Sequence, residues 1–86
     1  MGKLDKLIGE LLRDDPPREM AYRDIATVLG FFGWTERKAA GSHLRWSKTG
    51  HGALTIAVHG DRRVARVDRP VIRDVIDAIT DQRRMN

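Results

Sequence analysis

Cysteine is absent from the 86-residue sequence. Its absence excludes disulfide bonds, a thiolate nucleophile and zinc–thiolate sites, and it is compatible with a cytoplasmic protein. Long apolar runs are absent too, since no stretch approaches the roughly 20 residues of a membrane-spanning helix. The segment 1–13 carries polar residues throughout, so we do not expect it to be a signal peptide. We therefore expect a cytoplasmic protein with no membrane partner.

Size and charge narrow the class of protein further. A chain of 86 residues predicts one modest core and a shallow site, because it buries only about 60–65% of its unfolded surface. The formal net charge is +4, but residues 1–33 hold five Lys and Arg against six Asp and Glu, whereas residues 34–86 hold eleven against six. This one-sided charge indicates a polyanionic partner, with RNA or DNA ahead of an acidic protein. Solubility alone would also explain it.

Apolar residues recur at helical spacing near the N-terminus, which predicts an amphipathic helix of about three turns. The apolar positions are Leu4, Leu7, Ile8, Leu11 and Leu12. Two successive prolines, Pro16 and Pro17, end the pattern. Because so short a helix is marginal alone, we expect its leucine face to dock on the rest of the chain rather than to mediate self-association. Residues 1–18 are thus interpreted as a helix and linker, and residues 19–86 as the main domain.

Two further helices are predicted in the main domain. The first covers residues 21–29, with apolar residues on one face. The last follows Asp68, a suitable N-cap, and carries an isoleucine stripe. Bulky residues around a helix end are more often core than base-stacking platforms, so we expect three of them to be buried. These are Phe31, Phe32 and Trp34.

Between residues 34 and 59 the apolar period shortens to two, which predicts an antiparallel meander. Its three strands are predicted at 34–39, 43–48 and 53–59. On the second strand, Leu44 and Trp46 face the core, and the odd-numbered residues take the other side. Helices covering one face of such a sheet make an α+β fold of helix, three strands and helix, with an extra N-terminal helix.

Two registers of the second and third strands satisfy this alternation. One places Leu44 opposite Val58 and His43 opposite His59. The other is two residues shorter and places His43 opposite Ala57, with His59 on the diagonal. In both registers the two histidines share the sheet face that is not core.

The tripeptide Gly-Ser-His at the start of the second strand is the candidate catalytic element. Histidine titrates near neutral pH, so His43 is suited to act as general base or acid in phosphodiester cleavage. Gly41 and Ser42 offer backbone or hydroxyl donors to a phosphate oxygen, although turn geometry explains Gly41 equally well. Lys38 and Arg45 are candidates for phosphate contact. A partly exposed polar residue at a strand start remains the commoner explanation for such a histidine.

Other polar residues give weaker signals. His59 is a possible second acid or base, although an exposed strand-end histidine is commoner, and His51 is expected to be solvated. The histidines lack an HxH or HxxxH spacing, so we expect neither a metal nor a cofactor. A group of arginines would add sequence-independent phosphate affinity, or would simply form a solvated face. The group is Arg62, Arg63, Arg66 and Arg69.

The span from about Met20 to Arg83 resembles the HicA toxins of bacterial HicA–HicB type II toxin–antitoxin systems. The similar features are the helix sequence Tyr-Arg-Asp-Ile-Ala-Thr-Val-Leu, the pair Gly33-Trp34, the Gly-Ser-His element with Trp46 three places on, the apolar strand closing in His59, and the isoleucine stripe of the last helix.

This resemblance implies a fold like the double-stranded-RNA-binding domain and a metal-independent endoribonuclease, or mRNA interferase. It also implies His43 as the catalytic histidine, messenger RNA as the substrate and a HicB-like antitoxin protein as the inhibitor. Two other classes stay open, a non-catalytic RNA-binding module and a protein-interaction domain with an acidic partner. The sequence does not predict the oligomeric state.

Overall fold

The computed structural model describes the backbone of residues 2–39, 41–61 and 63–85, with side chains as far as Asp81. In this part of the chain the elements are, in order, α1 (Lys3–Leu11), β1 (Glu19–Ala21), α2 (Tyr22–Phe31), β2 (Thr35–Lys38), β3 (His43–Lys48), β4 (Gly52–Ala57), β5 (Arg66–Asp68) and α3 (Arg69–Met85). The α+β class and the three-stranded antiparallel sheet are confirmed. The predicted helices and strands are present, with ends shifted by one or two residues.

Helix α1 packs on the rest of the chain, as predicted. Leu7 and Leu11 are buried in the shared core, and Leu4 and Ile8 are partly buried against it. Nine residues are too few for a stable isolated helix, so this burial is what maintains α1. A further link to α2 is the ion pair between Lys3 Nζ and Asp24 Oδ1, at 3.4 Å.

The sequence did not predict the pairing of β1 with β5. These three-residue strands form a separate antiparallel ribbon in which Met20 lies opposite Val67, and both side chains are buried. Since Ala21 pairs with Arg66, α2 begins only at Tyr22, one residue later than predicted. Strand β5 begins at Arg66, one of the arginines that follow Gly60.

The three-stranded sheet has the order β2-β3-β4 and adopts the shorter of the two predicted registers. His43 lies opposite Ala57, and Leu44 lies opposite Ile56. The hairpin turn explains this register. Gly50 and Gly52 have φ angles of 86° and 82°, which glycine adopts readily, and they allow the chain to reverse within a few residues.

The helices cover one face of this sheet, and the other face is open. The fully buried side chains come from the helices and from β4: Leu11, Ile25, Val28, Leu29, Ile56, Ile72, Val75 and Ile79. Leu44 and Trp46 of β3 are buried with them. The prediction that Phe31 joins the core is wrong, since its side chain is 61% exposed. The reason is that α2 continues to Phe31, which places this residue on the outer side of the helix while Val28 and Leu29 face inward.

A series of hydrogen bonds between side chains crosses the core beneath the sheet. Trp46 Nε1 donates a hydrogen bond of 2.9 Å to the Tyr22 hydroxyl. That hydroxyl donates in turn to the Glu36 carboxylate on β2. A buried indole N–H requires an acceptor, and the Tyr22 hydroxyl is that acceptor. The two hydrogen bonds link α2 to two strands of the sheet, β3 and β2.

We predict that Leu11→Ala lowers the free energy of unfolding by about 2–5 kcal/mol, because it removes a fully buried side chain. The matched control is Leu12→Ala. Its side chain is 37% exposed, so we expect a change of about 0.5 kcal/mol or less. Urea denaturation followed by circular dichroism measures both values. Equal losses in the two variants would contradict the packing of α1 described above.

We also predict that Tyr22→Phe destabilises the fold by about 1–3 kcal/mol, because it removes the acceptor of a buried indole N–H. Thermal and urea unfolding measure the loss, and the near-ultraviolet spectrum of the tryptophans reports on the altered surroundings of Trp46. Phenylalanine keeps the ring and its packing, so an unchanged stability would show that the hydrogen bond contributes nothing.

Candidate functional site

Strand β3 divides its side chains between the core and the open face. Leu44 and Trp46 point into the core, whereas His43 and Arg45 are exposed and Ser47 is partly exposed. Successive strand residues point to opposite faces, so burying the even-numbered residues places the odd-numbered ones on the open side. The candidate catalytic histidine therefore lies on the open face, as both predicted registers required.

The backbone around His43 is held by neighbouring segments on both sides. The Ala39 N–H donates to the His43 carbonyl at 3.0 Å, and the Val58 N–H donates to the Ser42 carbonyl at 2.8 Å. Gly41 forms the turn before β3 with a φ of 64°, a left-handed conformation that favours glycine. This end of the sheet is thus a fixed junction of the β2–β3 turn and the end of β4.

A shallow cleft of about 410 Å³ lies at this junction. Four of the predicted site residues meet in it, and its lining consists of Lys38, Gly41, Ser42, His43, Leu44, Val58 and Gly60. The cleft lies at the end of the sheet, where it is bordered both by Lys38, which is opposite the core-facing Leu44, and by His43 of the open face. Such a set of residues offers hydrogen-bond donors and positive charge to an anion.

Arg45 lies beside this cleft rather than in it. It is two residues from His43 on the same strand face, a separation of about 7 Å along β3. Directly opposite Arg45 on β2 is Arg37, which the sequence analysis did not single out. A period of two along β2 puts Thr35 and Arg37 on one face, but only the register with β3 shows that this is the face of Arg45. Both arginines are exposed.

Neither of the other two histidines lines the cleft with His43. His59 is exposed and follows the end of β4, and it does not line the cleft although Val58 and Gly60 do. Its role as a second acid or base stays a prediction. His51 is half-buried in the β3–β4 turn, where its backbone N–H donates a hydrogen bond to the Lys48 carbonyl at 2.9 Å. That turn is at the opposite end of β3 from His43.

The predicted arginine group is engaged by carboxylates in the described part of the chain. Arg63 pairs with Asp61 at 2.8 Å, and Arg66 pairs with Glu19. Arg69 pairs with Asp15 at 3.2 Å. Arg62 lies outside the described residues. None of the three described arginines lines the cleft, and their contribution to substrate binding stays a prediction.

The ion pair between Asp61 and Arg63 shifts the pKa of both side chains. Hydrogen bonds from the Arg63 side chain, and then from its backbone N–H, hold the pKa of Asp61 below its ordinary value. The same side-chain contact raises the pKa of Arg63. Because the pKa of the Asp61 carboxyl is lowered in the folded state, the ion pair favours folding at pH values above the ordinary pKa of aspartate. This contribution to stability is lost as the pH falls through the lowered pKa.

Among the described residues, no group of three or more histidine, aspartate and glutamate side chains is arranged to hold a metal ion. None of the helices in the same part of the chain is long and apolar enough to cross a membrane.

Comparisons of the chain with protein-family models, with curated proteins and with solved structures found no match. The similarity to HicA toxins thus rests on the residues of this sequence quoted above.

Proposed function

We propose that the protein is a HicA-like toxin, a metal-independent endoribonuclease that cleaves messenger RNA in the cytoplasm and is inhibited by a HicB-like antitoxin. The observation that carries this proposal is the meeting of His43, Lys38 and Ser42 in one cleft at the end of an open, basic sheet face. The fold proposed with it is the one resembling a double-stranded-RNA-binding domain.

The proposed reaction uses the 2′-hydroxyl of the RNA as the nucleophile. A general base removes the proton of this hydroxyl, the 2′-oxygen forms a bond to phosphorus, and the bond from phosphorus to the 5′-oxygen breaks. A general acid gives a proton to the departing 5′-oxygen. The products are a 2′,3′-cyclic phosphate and a 5′-hydroxyl, so the reaction needs neither a metal nor a cofactor.

His43 is assigned to proton transfer in this reaction, as the base or as the acid. Lys38 and the Ser42 hydroxyl are the proposed contacts for the non-bridging phosphate oxygens, on which negative charge accumulates in the transition state; both residues line the cleft. The backbone at Gly41 is a further candidate donor. His59, beside two residues that line the cleft, is the candidate for the second proton-transfer group.

An inhibitor protein fits this arrangement because the cleft is shallow and lies on an exposed face. A partner needs only to cover His43 and its neighbours to exclude RNA. Acidic side chains on that partner would complement the ammonium group of Lys38 at the cleft. Inhibition by occlusion is thus the proposed mode of action of the antitoxin.

One observation favours a second candidate, a non-catalytic RNA-binding module. The open face carries Arg37 and Arg45, two exposed guanidinium groups that do not require His43 to bind phosphate. A module of this kind would retain its affinity for RNA when His43 is replaced, and the wild-type protein would not cleave.

We predict that purified protein cleaves a long single-stranded RNA in the presence of EDTA, and that His43→Ala lowers the cleavage rate by about 10²–10⁴-fold through the loss of proton transfer. The matched control is His51→Ala, which replaces a histidine at the far end of the sheet and should cleave at the wild-type rate. Gel analysis gives the rates, and enzymatic treatment of the product ends identifies the cyclic phosphate.

Other outcomes would change the assignment. Equal cleavage by wild type and His43→Ala would remove His43 from the mechanism. Cleavage that leaves a 5′-phosphate would contradict attack by the 2′-hydroxyl. Binding of RNA without cleavage by either protein would favour the RNA-binding module.

A further inference from the structure

A second cleft lies on the sheet at the end far from His43. Its volume is about 330 Å³, and its lining consists of Gly33, Thr35, Arg37, Ser47, Lys48 and Thr49. Two of these side chains are cationic and three carry hydroxyls, and none of the lining residues is acidic. Cations with hydroxyl donors and no competing carboxylate are the groups that bind a phosphate.

Lys48 is held in place before any ligand binds. Its Nζ donates a hydrogen bond of 2.7 Å to the Phe32 carbonyl. Its side chain also passes close to Gly33, where a Cβ would lie 3.2 Å from Nζ. Gly33 has a φ of 89°, so both its conformation and its missing side chain suit this passage. An ammonium group has three donors, which leaves two for an anion. The fixed position lowers the entropy cost of binding.

Arg37 and Arg45 lie on the open face between the far end of the second cleft and the His43 cleft. They are directly opposite each other on β2 and β3, and neither forms an ion pair within the described residues. Like charges in directly opposed positions repel, which disfavours the free protein. An anion lying across the two guanidinium groups would remove that repulsion.

We propose that the second cleft is a phosphate site for the RNA strand that enters the His43 cleft, with the Arg37–Arg45 pair binding the backbone between them. The RNA then runs along β3. Ser47 is four residue steps along β3 from His43, a distance of about 13 Å, so the two sites contact different phosphates of one RNA strand. Naming RNA as the ligand rests on the proposed function, whereas the anion site itself rests on the residues of the cleft.

The remaining side chains of the open face favour RNA over an acidic protein. On β4 this face presents Ala53, Thr55 and Ala57, which are small. Protein interfaces depend on buried aromatic or large apolar anchors, and this face offers none among the described residues. Trp46, which would stack on a base, is 5% exposed and faces the core. We therefore expect recognition of the sugar–phosphate backbone with little preference for base sequence.

The experiment measures the binding of a fluorescein-labelled single-stranded 2′-O-methyl oligonucleotide, which cannot be cleaved, by fluorescence anisotropy over a series of KCl concentrations. For single strands, each lost phosphate contact reduces the slope of log K against log salt concentration by about 0.7. Arg37→Gln and Lys48→Met should each reduce the slope by that amount. The matched control, Arg73→Gln, removes an exposed cation on α3 and should leave the slope at its wild-type value.

The proposal would be overturned if Arg37→Gln and Arg73→Gln had the same slope as wild type. It would also be overturned if a poly-glutamate peptide bound the second cleft more tightly than the oligonucleotide, because this would indicate an acidic protein partner. Arg37 is exposed and its replacement leaves the core intact, so the Arg37→Gln result decides the question even if Lys48→Met is unstable.

The same data separate this proposal from the proposed function. RNA cleavage that depends on His43, together with unchanged slopes in the Arg37→Gln and Lys48→Met variants, would overturn the second phosphate site and leave the nuclease standing. Reduced slopes in a protein that cleaves no RNA would support the site and overturn the nuclease.

Discussion

The architecture depends on the burial of alternate side chains along β3. Leu44 and Trp46 are held in the core, and Trp46 also donates its indole N–H to the buried Tyr22 hydroxyl. A shift of the β3 register by one residue would expose both side chains and leave that N–H without its acceptor. Only register shifts of two residues therefore preserve the core. The same constraint fixes His43 and Arg45 on the open face. Core packing thus determines which residues meet a ligand.

Much of this arrangement could be predicted from the sequence, because a period of two is a strong signal over a six-residue strand. The choice between the two registers could not, since both bury the same residues. The tight turn with left-handed Gly50 and Gly52 decides it. The β1–β5 ribbon was missed for a different reason. Three residues are too few to show a period, and the strands are far apart in the chain.

The sequence predicted the site residues that are near one another in the chain and missed one that depends on pairing between strands. Lys38, Gly41, Ser42 and His43 are near in sequence, and a short turn brings them into one cleft. Arg37 acquires its importance only from its position opposite Arg45, which depends on the register of β2 with β3. No local pattern specifies that register. Cross-strand partners are therefore the kind of site residue that reading one segment at a time overlooks.

The distribution of positive charge shows why counting residues gives an incomplete account of binding. By number, the arginines after Gly60 dominate the basic half of the chain, yet Arg63, Arg66 and Arg69 each have a carboxylate partner. Arg37 and Arg45 have none within the described residues. A cation without a carboxylate partner can replace the counterions around a nucleic-acid phosphate, which is favourable, whereas at a paired cation the phosphate must compete with the carboxylate. On the open sheet face a polyanion would thus meet two guanidinium groups without a competing carboxylate, and that face ends at the cleft of His43.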